Sequence, residues 1–278
     1  MSMYFIANTA GRLLIRVFTQ KTKLDSYSSS LAIKGPAYLL GLIYGLTQNK
    51  YPLTQGVTPF LISLVLLVGV LQIISGSVSV ITQKHIDTAP YVVMRVLFVP
   101  TSVLISAILL NESLALTEFI GMLIILSGVS IVSTGGKLPH IKNIGRYELL
   151  NLSNSVFLGV YVVFSRYIIS QTSLPTFMVI FAGIEIIPLI LAVGRKSLTR
   201  PSKLDLKLSM LIGVASAIHI VAFWLAVDIL DNVAIVSSIS AFRVVTIFIG
   251  SYFVLNEKTN LKQKLVGSLL ATAGITLS

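Results

Sequence analysis

Ten apolar stretches, each close to the length that crosses a bilayer, constrain this chain more than any other feature. They run over 3–18, 27–46, 57–81, 88–110, 114–134, 147–169, 174–194, 206–228, 233–255 and 261–277. Crossing about 30 Å of hydrocarbon takes roughly 20 apolar residues as a helix, so the pattern predicts ten transmembrane helices. Helices are the expected form because an unpaired backbone amide in lipid is costly. The outward alternation of a membrane barrel is absent. Composition agrees, with 55% hydrophobic and 11% charged residues and a mean hydropathy of +0.91, against about 25% charged in soluble domains. The expected fold class is all-α, a polytopic membrane protein.

Between the stretches lie turn and breaker residues: "NKYPLTQG", "KHIDTAP", "TGGKLPHIKNIGR" and "GRKSLTRPSK". The first stretch is short and carries Arg12 and Arg16, which suits either a start further upstream or a short helix lining a wet cavity. No small-residue cleavage site follows it, which argues against a cleavable signal peptide. With no cysteine in the chain, disulfides, thiolate metal sites and cysteine nucleophiles are excluded. The formal charge of +11 sits mainly in loops, where basic residues orient a membrane protein, so the expected surroundings are a lipid bilayer and not nucleic acid.

One junction is written twice. "LLNESLALTEFIG" places Asn111-Glu112 ahead of Gly121 and Gly128, and "VLNEKTNLKQKLVG" places Asn256-Glu257 ahead of Gly267 and Gly274. Upstream, "IDTAPYVVM" at 86–94 aligns with "LDNVAIVSS" at 230–238, and Pro36 answers Pro188. Two copies of a five-helix unit, 1–136 and 147–278, account for these matches. Five is odd, so the second copy enters the membrane inverted, the architecture of secondary transporters with a site near the midplane.

The junction motifs and the span count resemble the drug/metabolite transporter superfamily, in its EamA-type branch. The resemblance is best over 88–134 and 233–278; the Trp-Gly pair usual in that family's first helix is missing. It implies export or exchange of small metabolites by alternating access, without ATP hydrolysis, in the cell (plasma) membrane. It also implies a scaffold or homodimer contact through the fifth and tenth helices, and cytoplasmic termini. Charge reads differently. Loops after the odd-numbered spans hold Lys21, Lys23, Lys84, Lys137, Lys142, Arg146, Arg195, Lys196, Arg200, Lys203, Lys207, Lys258, Lys262 and Lys264, while the other face has Lys50 and Arg166. By the positive-inside rule the odd loops are cytoplasmic and both termini lie outside.

Glu112 and Glu257 each stand just before a helix, where a carboxylate is stabilised by first-turn amides and the macrodipole. They read as turn residues, with gating or proton coupling as the alternative. Gly267 and Ala271 are spaced for close helix packing.

Charged residues inside spans are functional candidates, each costing about 2.5–3.5 kcal/mol on insertion scales. Arg243 shares a helix side with Ser240, Thr246 and Gly250, and Arg95 with Tyr91 and Ser102. Glu185 reads as a counter-ion of one arginine or as a coupling carboxylate. His219, with Ser216 and Phe223, can contact substrate or carry protons. Asn151, Asn154 and Ser155 polarise the sixth span. Lys34, Arg12 and Arg16 are expected to snorkel, and Trp224 to anchor at an interface. The candidate substrate-binding set is Arg95, Arg243, Tyr91, Ser240, Thr246, His219 and Asn154. Guanidinium donors suit an anionic or zwitterionic small molecule. The sugar-phosphate branch of the superfamily implies basic residues on the fourth and ninth helices, although Arg95 and Arg243 lie about one turn out of register. No H-E-x-x-H, G-x-S-x-G or P-loop pattern occurs, so neither enzyme activity, cofactor nor metal is expected. The rival reading is a non-transporting membrane scaffold or assembly subunit, in which buried arginines pair fully with acids.

Overall fold

Every described element is an α-helix, and no strand occurs among the described residues. The computed structural model describes residues 2–49, 58–109, 115–133, 144–194, 201–230, 236, 243–257 and 260–277. In chain order the helices are α1 (Ser2–Lys21), α2 (Ser26–Gln48), α3 (Pro59–His85), α4 (Thr88–Arg95), α5 (Phe98–Leu109), α6 (Leu116–Ser133), α7 (Arg146–Gln171), α8 (Leu174–Gly194), α9 (Lys203–Leu230), α10 (Arg243–Val254) and α11 (Leu261–Leu277). Among the described residues, Pro59–His85, Thr88–Leu109, Arg146–Gln171 and Lys203–Ile229 are long and apolar enough to cross a membrane. Shorter apolar helices cover Leu116–Val132, Leu174–Ile187 and Arg243–Val254.

Side-chain oxygens start several of these helices by satisfying first-turn amides. Asp25 accepts from the Ser28 amide (3.1 Å) and hydroxyl (2.6 Å) ahead of α2. Ser202 and Asp205 form a reciprocal box before α9: the Asp205 amide donates to the Ser202 hydroxyl (3.1 Å), and the Ser202 amide donates back to Asp205 Oδ2 (2.9 Å). Outward faces are apolar. On α3, Phe60, Leu66, Leu67, Val70 and Ile74 are exposed while Leu61, Leu64, Val65 and Val68 are buried. A leucine-rich outer stripe at three- and four-residue spacing suits hydrocarbon as its solvent.

The chain forms two compact units, Met1–Val80 with Phe164–Asp231, and Ile81–Val163 with Asn232–Ser278. Each takes helices from both sequence halves, so the packing units differ from the segments 1–136 and 147–278 expected from the sequence. In the first unit α1 packs on α9, and α2 on α8 and α9. Ile15, Phe18, Leu24, Ile33, Val80, Leu208 and Ile212 make one core cluster. Trp224 is buried against Phe177, ring centroids 5.3 Å apart. It fills the core, meeting Phe177 edge-on, instead of anchoring at an interface. Arg16 is also buried rather than snorkelling.

In the second unit α6 packs along α11, and α4 along α10 and α6. A methyl at Gly128 would lie 2.7 Å from the Gly267 carbonyl oxygen, and one at Gly274 would lie 2.5 Å from that of Gly121. The partner numbers fall as the residue numbers rise, so the helices are antiparallel. Their backbones touch because neither carries a side chain there. The fourth span, expected as one helix, is split. Pro100 has no amide hydrogen for the Val96 carbonyl, and 94–99 tightens into i+3 bonds: Val96 to Val93 (3.0 Å), Leu97 to Met94 (3.2 Å) and Val99 to Val96 (2.8 Å).

Candidate functional site

The break in the fourth span gathers charge in the second unit. Arg95 closes α4 and is 6% exposed; Arg243 is the first described residue of α10 and is 9% exposed. Arg95 Nη1 donates to the Tyr91 hydroxyl one turn earlier (3.1 Å), and its Cζ lies 5.7 Å from that ring. Arg243 Cζ lies 5.5 Å from the ring of Phe98, the first residue of α5. The two cations therefore flank the same break, each against an aromatic face, an arrangement that holds guanidinium by cation–π attraction. The C-terminus of α4 also favours a cation at Arg95 through its exposed carbonyls.

Tyr91 is buried, and its main-chain oxygen accepts from Asn151 Nδ2 of α7 (3.0 Å). Asn154 and Ser155 are buried on that helix as well. Gly159, two turns on from Asn151, lies against Thr101 and the Phe98 carbonyl. Asn151, Ser155 and Gly159 thus form one stripe toward the broken span. Thr246 is exposed and its hydroxyl donates to the Arg243 carbonyl (3.0 Å). Ser240 lies outside the described residues. The structure thus gathers Arg95, Tyr91, Arg243 and Asn154 in one unit, with Thr246 on the rim of α10.

His219 and Glu185 belong to the first unit. His219 meets Tyr4 edge-on, centroids 6.1 Å apart. Glu185 is fully buried and pairs with Lys34 Nζ at 3.3 Å. The sequence offered Glu185 as counter-ion of one of the arginines or as a coupling carboxylate, and expected Lys34 to snorkel; the partner found is Lys34. Lys34 instead turns inward because Gly76 of α3 leaves room for it: a methyl there would lie 2.6 Å from Nζ. The lysine also donates to the Gln72 carbonyl (3.0 Å). A lysine in mid-helix, one turn from a glycine-rich neighbour, was a weak signal in sequence.

The second Asn-Glu junction does more than turn the chain. Asn256 adopts a left-handed conformation (φ 57°), which asparagine tolerates better than most residues. Glu257 serves α4. Its carboxylate accepts from the Thr88 amide (2.8 Å) and hydroxyl (3.0 Å). Asp87, at the N-cap of α4, makes no side-chain cap bond, and pairs with Lys264 of α11 at 2.8 Å. The two acids have exchanged tasks. Glu112 and its junction lie outside the described residues. The described residues contain no cluster of three or more His, Cys, Asp or Glu side chains placed to hold a metal ion.

No protein-family model matches the chain, and no curated protein matches it. The solved structures similar to the chain include a crystal structure that matches over 99% of this chain and 96% of its own, with a TM-score of 0.65 at 16% identity. At that identity the likeness shows a shared fold and carries nothing about activity.

Proposed function

We propose that this chain is a secondary transporter that moves a small anionic or zwitterionic metabolite by alternating access, built as two inverted five-helix repeats. The observation that carries the reading is the pair of buried arginines at the broken fourth span. Two guanidinium groups in apolar spans cost about 5–7 kcal/mol on insertion scales. Neither span 88–110 nor span 233–255 contains an acid. Guanidinium donors match carboxylate and phosphate oxygens in pairs, and broken helices mark substrate sites in transporters of inverted-repeat design.

The inversion draws support from α6 and α11. Matching the seven-residue glycine pairs that follow the two junctions equates Gly121 with Gly267 and Gly128 with Gly274, one residue out of step with Glu112 and Glu257. Exchanging each glycine for its equivalent turns the contact of Gly274 with Gly121 into that of Gly128 with Gly267, and both contacts are present. A two-fold axis perpendicular to antiparallel helices produces this exchange.

Counterflow in proteoliposomes tests the function, with a radiolabelled amino-acid mixture as zwitterionic probe and radiolabelled succinate as anionic probe. Wild type is expected to exchange at least one of them. Arg243→Ala should abolish that exchange with the protein still monodisperse, and Arg243→Lys should weaken it. Normal flux through Arg243→Ala would make the arginine structural and end the anion reading.

A further inference from the structure

The first unit holds a charged site that substrate recognition does not use. Glu185 of α8 is fully buried in an apolar helix, and Lys34 of α2 reaches it at 3.3 Å. That is long for an ammonium–carboxylate contact, which settles near 2.7–2.9 Å in a firm pair; Lys264 and Asp87 achieve 2.8 Å. Lys34 lies nearer the neutral Gln72 carbonyl, at 3.0 Å. Its ammonium therefore keeps an acceptor on α3 whether or not Glu185 is ionised. The groups that interact with the carboxylate are Lys34 and Tyr38, both on α2. From α3 come the Gln72 carbonyl and the space over Gly76, where the buried Ser30 hydroxyl also converges.

Position in the fold adds a second argument. Lys34 stands two residues before Pro36 and Glu185 three before Pro188, so the repeat alignment leaves the two charges one residue out of register. α2 and α8 run antiparallel: Gly45 abuts Pro175 and Val179, Gly41 abuts Met178, and Lys34 meets Glu185. A two-fold exchanging the helices by that alignment carries the pair onto Ile33 and Ile186, one residue along each helix, so the pair lies beside its axis. Each residue also has a proline within one turn, where a helical hydrogen bond is missing and the helix can bend.

We propose that Glu185 is the proton-carrying group of a proton-coupled cycle, with Lys34 as its exchangeable counter-charge; this rests on the transporter reading. On uptake, an O–H bond forms on the carboxylate with a proton from water at one face. The ion pair becomes an ammonium beside a neutral acid, and the ammonium stays on Gln72. On release the O–H bond breaks, the proton leaves to water at the other face, and the ion pair re-forms. One proton crosses per cycle and no other reactant is needed.

Two readouts separate this proposal from the one it rests on. The first needs no substrate: infrared difference spectra of purified protein between mildly acidic and alkaline buffer. Wild type is expected to show a carboxylic-acid C=O band that grows with acidity and is lost in Glu185→Gln. Should Glu185→Gln fold poorly, Glu185→Asp is expected to keep the band at a shifted frequency. A band unchanged in both variants overturns the proposal. The second traps a pH-sensitive dye in proteoliposomes and supplies the amino-acid mixture or succinate. Glu185→Gln is expected to lose probe-driven proton movement and uphill accumulation while counterflow persists. Proton movement persisting in that variant overturns the coupling and leaves the transporter reading intact. A titrating band without flux of any probe in wild type overturns transport, and coupling with it, while the proton site stands.

Discussion

Asp87, Glu257 and Lys264 show how a residue's task follows from its surroundings. Asp87 stands where an N-cap acid belongs, yet its carboxylate holds Lys264, which is only 4% exposed. A buried ammonium needs a counter-charge more than a first-turn amide needs one acceptor, and Glu257 is at hand for the amide. Removing one member of such a pair strands the other. We expect Asp87→Ala to cost about 1.5–3 kcal/mol, the range for a hydrogen bond to a charged group. Lys264→Met should cost less, since it strands Asp87, which is 34% exposed and can be hydrated. Thermal unfolding of the detergent-solubilised variants checks the order, and equal costs would contradict it. Arg95 and Arg243 differ in the same way. Arg95 has Tyr91 and a helix C-terminus within its own element, whereas Arg243 is placed against Phe98 of another. Arg243 is therefore the sharper probe of transport.

Helices in this chain are positioned by what they lack. Gly121, Gly128, Gly267 and Gly274 let α6 and α11 meet backbone to backbone, where dispersion forces drive association in the absence of a hydrophobic effect. Gly128→Leu should force the pair apart at a cost of about 1–3 kcal/mol or more, as overpacking does. Gly183→Ala is the control, since nothing lies within 4 Å of a methyl there. Size-exclusion profiles and melting curves should separate the two variants. Pro100 acts by a missing hydrogen. Pro100→Ala restores a donor for the Val96 carbonyl, and α4 and α5 are expected to approach one continuous helix with Arg95 turned from its present place. Transport of the probes should fall while melting temperature holds or rises; a simultaneous fall in both would show that the break serves stability.

At the scale of the whole molecule, the charge rule and the family resemblance assign opposite orientations. Fourteen basic residues lie in the odd-numbered loops, and the membrane-insertion bias counts such residues near helix ends. We expect the 195–207 loop to be cytoplasmic. Because the chain has no cysteine, Ser197→Cys introduces a single thiol, and a membrane-impermeant reagent should fail to label it in intact cells. Inversion is tested in the same background: Glu112→Cys and Glu257→Cys should be labelled from opposite faces. Labelling of both from one face would remove the inverted repeat from the reading.

Ten apolar stretches, their helical form and the doubled Asn-Glu junction were legible in the sequence because each rests on local chemistry. Backbone hydrogen bonds in lipid must close within a segment, and asparagine's tolerance of the left-handed turn belongs to the residue itself. Even the split of the fourth span had its sign in Pro100. Only the tertiary structure decided which partner each buried charge took. Lys34 meets Glu185 across 151 positions, Glu257 reaches Thr88 across 169, and Lys264 finds Asp87 across 177. Composition placed those charges in or beside spans and made each of them costly. Which of them relieved which depended on helices that pack through glycine and broken turns, and such packing is settled by shape complementarity between segments distant in the chain.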